Sequence, residues 1–216
     1  MPDEVPLRTA VNRRVIARLF AELDDDQLRT PSLCAGWTCR DVLGHLVMAI
    51  DLSVPRLARE VVRDRGRSGV TFERLARAYA ARPVADLVRA LDERATDAVS
   101  RPGIGALSPF ADSCIHLRDV ALPLGIAATP PAEDWARVLG FLTTTRARVA
   151  GFLPRGRLDG LALQASDSTW STGTGEPVTG RGEALALSLT GRPALLDELS
   201  GSGVPTLRDR VLGRRV

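Results

Sequence analysis

The sequence predicts a mainly α-helical protein that ends in a small α/β tail. Three observations carry this. Across the first two-thirds of the 216 residues, apolar side chains recur at helical spacing between Pro- and Gly-marked breaks. Around residues 151–157, Gly, Pro and Arg cluster and the pattern changes. Beyond that point Leu161, Leu163 and Ala165 alternate with smaller or polar residues, as a half-buried strand does. We therefore divide the chain into a helical domain, residues 1–153, and a C-terminal α/β domain, residues 154–216.

The elements follow in order. Residues 7–23 form a helix carrying Val11, Val15, Ile16, Leu19, Phe20 and Leu23. Asp24-Asp25-Asp26 and Thr30-Pro31-Ser32 break it. A second helix starts at Thr38, because Thr38-Cys39-Arg40-Asp41 places a hydroxyl at the N-cap and a carboxylate three residues on. It runs toward Arg63, with Pro55 as a kink or break. Residues 66–69 make a loop, and 71–81 and 83–99 are further helical segments, closed by Arg101-Pro102-Gly103. Another helix starts near Ser108-Pro109, with Pro in its first turn, and stops near Pro123-Leu124-Gly125. The last helix of this part starts near Pro131 and carries Trp135, Val138, Leu139, Leu142 and Val149. In the tail, the strand at 161–165 leads into a turn-rich stretch from Asp167 to Pro177, read as a hairpin. Gly182 to Thr190 is an apolar helix with Gly191 just past its end. Pro193 to Leu199 is a second, short helix.

Composition narrows the function. Hydrophobic residues make up 44% and charged residues 25%, which excludes disordered, collagenous and coiled-coil classes. The longest apolar run, Leu46 to Ile50, falls far short of the roughly 20 residues of a membrane span. The N-terminus has an early acidic pair and no apolar segment, so the expected location is the cytoplasm, with no membrane partner. All 29 basic residues are Arg, the net charge is only +3, and acidic residues are interspersed throughout. No nucleic-acid partner is expected. The one basic cluster, Arg56, Arg59, Arg63, Arg65 and Arg67, reads as a solvated helix end. Cys34, Cys39 and Cys114 cannot all pair and are expected as reduced thiols.

The chain has two histidines, and both sit inside predicted helices. At about 100° per residue, Val42, Leu43, Leu46, Val47, Ala49 and Ile50 form one apolar arc, with His45 at its edge beside Asp41. Asp112 and His116 are four residues apart and share one helical face, flanked by Ile115, Asp119 and Val120. Cys114 points elsewhere. Two imidazoles and a carboxylate from facing helices make a three-ligand set with positions left open for water or substrate, as in a reactive divalent-metal site. Asp41 and Asp119 are candidates to orient the imidazole N–H groups, and Asp41 has a competing role as a cap. The same spacing also fits two histidines satisfied at the margin of a core.

Three blocks carry a resemblance. Gly36-Trp37-Thr38-Cys39-Arg40-Asp41-Val42-Leu43-Gly44-His45-Leu46 is similar to the first block of the mycothiol-dependent maleylpyruvate isomerase family, within the DinB-like metal-binding four-helix bundles. Asp112 to Gly125 resembles its second block, carboxylate-x-x-x-His-x-x-Asp followed by a Pro-Leu-Gly turn. Ala165 to Gly173, with Leu187 to Arg192, resembles its C-terminal domain. The resemblance implies an N-terminal DinB-like four-helix bundle and a smaller C-terminal α/β domain. It implies a metal, usually zinc, on His45, Asp112 and His116. It also implies mycothiol as a thiol cosubstrate and a small electrophilic partner molecule.

The family's better-studied members carry Glu where this chain has Asp112, one methylene shorter. Arg192 and Arg181 lie in the matching C-terminal blocks as candidate anion contacts. The expected activity is that of a metal-dependent thiol transferase or isomerase. The alternatives are metal-assisted hydrolysis and a non-catalytic ligand- or metal-binding regulatory module. The expected assembly is a monomer or homodimer.

Overall fold

The computed structural model describes residues 4–97 and 105–213. Its helices are α1 (Glu4–Ala21), α2 (Asp25–Arg29), α3 (Cys39–Asp51), α4 (Val54–Arg63), α5 (Ser68–Ala80), α6 (Val84–Glu93), α7 (Leu107–Ala121), α8 (Ala132–Leu142), α9 (Thr145–Val149), α10 (Gly182–Leu189) and α11 (Val204–Val211). Its strands are β1 (Leu161–Ala165), β2 (Ser171–Gly173) and β3 (Glu176–Gly180). The fold is thus mainly α with a small C-terminal sheet, as the sequence predicts. No described helix is long and apolar enough to cross a membrane.

The chain divides into two compact units, residues 1–101 with 116–128 and residues 102–115 with 129–216. The division falls inside α7, whose helix is continuous.

In the first unit, α3 is the organising helix. Thr38 caps it: its Oγ1 accepts from the Asp41 N–H (3.2 Å), and Asp41 Oδ2 accepts from the Thr38 N–H (2.9 Å). Val42, Leu43, Leu46 and Val47 are buried in a cluster with Ile16 and Phe20 of α1, Leu87 and Leu91 of α6, and Leu117 and Val120 of α7. Gly44 lets α5 approach closely: a Cβ there would overlap the Ala76 carbonyl oxygen and the Ala80 backbone nitrogen. Pro55 is a break rather than a kink. α3 ends at Asp51, and the proline sits in the first turn of α4, where a missing N–H costs nothing.

α4 buries none of its residues, and Arg56, Arg59 and Arg63 lie exposed on it. Arg74 of α5 donates to both Glu60 (2.7 Å) and Asp64 (2.8 Å) and holds both carboxyls below their usual pKa. The acidic run at 24–26, read as a breaker, instead opens α2. Asp24 accepts from the Gln27 N–H, and the Gln27 side chain accepts from the Asp24 N–H.

In the second unit, α10 is buried along its whole length, packed on α8, the sheet and α11. An apolar helix without a polar face belongs in such a place. The strand order is β2-β1-β3. The predicted hairpin exists as β1 with antiparallel β2, Leu163 opposite Thr172. The chain then crosses the start of β1 and returns as β3, parallel to β1 on its other side. Only glycine permits this crossing. Gly173 and Gly175 lie at φ +79° and +128°, and side chains there would overlap the Leu161 and Gly160 carbonyl oxygens.

Three further expectations are corrected. Val149 belongs to the separate helix α9 and is exposed, because Thr144 starts a new cap after α8 ends. Pro193 to Leu199 forms only one 3₁₀ turn, Leu196–Glu198. The segment read as helix over 83–99 ends at Glu93, and the Arg101-Pro102-Gly103 stop lies outside the described residues. Helix α11 has no counterpart in the sequence reading; Leu207 is the one residue it buries, too sparse a signal to show periodicity.

Candidate metal centre

Three side chains converge where α3 and α7 pass. His45 projects from the middle of α3, one residue after the glycine that brings α5 close. Asp112 and His116 lie one turn apart on α7. Potential ligand atoms of His45, Asp112 and His116 all lie within 4.8 Å of one another. The two imidazole rings have centroids 4.8 Å apart, at 62°. His45 and Asp112 are half-buried and His116 is buried. Two imidazoles and a carboxylate are a donor set that suits a divalent transition metal, and three donors this close together could hold one ion.

The surroundings orient the set. His116 Nδ1 lies 2.8 Å from Oδ2 of Asp119, one turn farther along α7 and completely buried. An ionised carboxylate there accepts from Nδ1–H and leaves Nε2 as the lone-pair nitrogen, the arrangement found behind metal-binding histidines. Asp119 is tied in again through its backbone, whose carbonyl accepts from the Leu33 N–H (3.0 Å). That bond pins the loop before α3 against α7. The same loop carries Trp37, whose carbonyl accepts from the Ser32 hydroxyl (3.0 Å). The Trp37 ring lies 5.3 Å from the His45 ring and 6.4 Å from the His116 ring, nearly parallel to the latter. Phe72 of α5 closes on His45 edge-on at 6.3 Å. The imidazoles therefore sit against the rings of Trp37 and Phe72.

Trp37 and Phe72 are absent from the sequence-derived set. Trp37 stands inside the first quoted block, but nothing in the sequence marks it as a wall. Phe72 has no signal at all, because its place follows from the close approach of α5.

The remaining sequence candidates have other partners. Asp41 Oδ2 accepts from the Thr38 N–H and the Thr38 hydroxyl (2.8 Å), the helix-capping role. Arg181 pairs with Glu198 at 3.0 Å, and that carboxylate raises its pKa. Arg192 donates to the Thr190 carbonyl (2.7 Å). Cys39 is completely buried, and desolvation, with a smaller push from Asp119, raises its thiol pKa to about 11. Cys114 is buried too, and Cys34 is half-buried.

Residues 10–103 match the family model of the mycothiol maleylpyruvate isomerase N-terminal domain. Two solved structures share the fold: the crystal structure of the mycothiol-dependent maleylpyruvate isomerase (TM-score 0.57) and that of a histidine-to-alanine mutant of it (TM-score 0.55). Each alignment covers 94% of this chain and 93% of the other, at 14% identity. No curated protein sequence matches significantly.

Proposed function

We propose that the chain is a divalent-metal-dependent thiol transferase or isomerase that uses mycothiol on a small electrophile, a reading supported by the match of residues 10–103 to the mycothiol maleylpyruvate isomerase N-terminal domain model. The observation that carries this reading is the convergence of His45, Asp112 and His116 within 4.8 Å. The proposed metal is zinc, which suits two imidazoles and one carboxylate with a position left open. A cation held there would lower the pKa of an incoming thiol and supply a thiolate at neutral pH.

The protein's own groups then have defined tasks. His45, Asp112 and His116 hold the ion. Asp119 fixes the His116 tautomer and aims its Nε2. Trp37 and Phe72 flank the imidazoles with apolar rings, which lowers the local polarity and strengthens electrostatic interactions at the site. Two of the three cysteines are poorly placed to be the nucleophile: Cys39 keeps its proton to about pH 11, and Cys114 is buried. In this proposal the nucleophilic sulfur comes from a small thiol. The thiolate adds to one carbon of a C=C conjugated to a carbonyl, and the π pair moves onto the carbonyl oxygen as an enolate. In a transferase the enolate carbon takes a proton and the C–S bond stays; in an isomerase rotation about the now single C–C bond precedes return of the enolate pair, which re-forms C=C and expels the thiolate. Arg181 and Arg192 are not required by this scheme, since each has a partner of its own. The proposal retains the four-helix architecture for the bundle and sets the division at 153/154, ahead of all three described strands, while α8 and α9 belong to the compact unit that holds those strands. A thiol-dependent enzyme of this kind would work in the cytoplasm.

The test is metal content of untagged protein beside His45→Ala and His116→Ala. Near-stoichiometric zinc or another divalent metal, lost in both variants, is expected. Wild-type protein that takes up no metal on reconstitution would overturn the proposal. Mycothiol is then expected to raise the melting temperature while its S-blocked form does not. Equal stabilisation by both would instead favour a binding module.

A further inference from the structure

Arg157 is a buried cation without a described partner. It is 8% exposed, and its Nη1 is sealed from solvent with no hydrogen-bond acceptor among the described residues. A guanidinium carries five donors and stays charged, so such a group is costly unless an anion meets it. Burial, with Arg210 nearby, pulls its pKa down, and no carboxylate opposes this.

The surroundings are built rather than loose. Arg157 lines a cavity of about 110 Å³ in the segment between α9 and β1, together with the exposed Arg148 and Arg155. That volume is three to four times the roughly 30 Å³ share of one water, enough for a phosphate-sized ion. Asp159 contributes the one carboxylate in the lining, against three guanidinium groups. The segment is folded by consecutive turns: the Arg157 N–H donates to Pro154 (3.4 Å) and the Asp159 N–H to Gly156 (3.3 Å). Arg210 of α11 clamps it by donating to the carbonyls of Arg157 (3.3 Å) and Asp159 (2.7 Å).

We propose that this cavity is a binding site for a phosphate-type oxyanion, held by Arg157 at its buried end and by Arg148 and Arg155 at its mouth. Planar guanidinium forks match the oxygen spacing of phosphate, and a doubly charged ion offsets the excess positive charge better than a carboxylate does. The same chemistry serves free phosphate and the phosphate of a monoester.

The experiment is a thermal-shift and calorimetric titration of the full chain at constant ionic strength, with inorganic phosphate, phenyl phosphate and acetate as probes and chloride as reference. Inorganic phosphate is expected to raise the wild-type melting temperature above the chloride reference and to bind more tightly than acetate. Arg157→Met removes the unpaired buried cation, so it is expected to melt no lower than wild type without phosphate and to lose the phosphate response. The exposed double variant Arg148→Ser/Arg155→Ser keeps the fold and is expected to bind phosphate about tenfold more weakly. It remains informative if Arg157→Met fails to fold. Phenyl phosphate binding as tightly as the free ion assigns the site to a phosphorylated organic ligand, and its exclusion assigns it to the free ion. Three results overturn the proposal: no phosphate-specific response in wild type, a response that survives in Arg157→Met, or undiminished affinity in the double variant.

Discussion

At the scale of single residues, burial decides which groups can do chemistry. Cys39 illustrates this with a sign that can be measured. Its thiol keeps its proton to about pH 11 in the folded chain, against 9.0 for the exposed group, chiefly because burial penalises the thiolate. Between those values the unfolded state has released a proton that the folded state retains. Stability is therefore full below pH 9 and falls as the pH rises toward 11, by no more than about 3 kcal/mol. The chain has no lysine to titrate in this window, and Tyr79, also raised by burial, acts in the same direction. Denaturant unfolding at pH 8, 9, 10 and 11 is expected to show the decline, and Cys39→Ala is expected to flatten it. The two histidines are legible in the sequence as candidates, because they are the only two and each follows a carboxylate by one helical turn. The role of Trp37 is not legible, since it depends on a hydrogen bond from Leu33 to Asp119, 86 positions apart.

At the scale of elements, the contact between α3 and α5 matters most to the site, and Gly44 makes it possible. Any Cβ at that position meets backbone atoms of Ala76 and Ala80, which cannot rotate away as a side-chain tip can. Gly44→Ala is expected to cost about 1–3 kcal/mol or more, despite the better helix propensity of alanine. Equilibrium urea unfolding measures this, and an unchanged or stabilised variant would refute the close contact. The start of α3 was readable residue by residue, since a capping box acts over three positions. The end of α3 at Asp51, the separate α9 and the parallel return of β3 were not. A helix read from periodicity alone continues until a strong breaker, whereas the real chain stops where its apolar face has nothing left to cover.

At the scale of the whole molecule, a cation held only by the folded state would add stability through mass action. The gain is about 4 kcal/mol when the free ion exceeds its dissociation constant a thousandfold. A chelator is therefore expected to lower the melting temperature of the wild type and leave that of His45→Ala and His116→Ala unchanged. Calorimetry with and without EDTA reads this, and equal chelator effects on all three proteins would count against a site on these residues. The sequence by itself determined the helical class, the N-terminal capping box of α3, the C-terminal strand and the three side chains with metal-binding chemistry. Each of these rests on interactions within a few positions along the chain, so spacing reveals it. Only the tertiary structure decided that His45 comes within reach of Asp112 and His116, that Trp37 and Phe72 line the imidazoles, and that Arg157 is closed off from water. Those facts depend on which distant segments pack together and exclude solvent, and no local pattern in the chain encodes them.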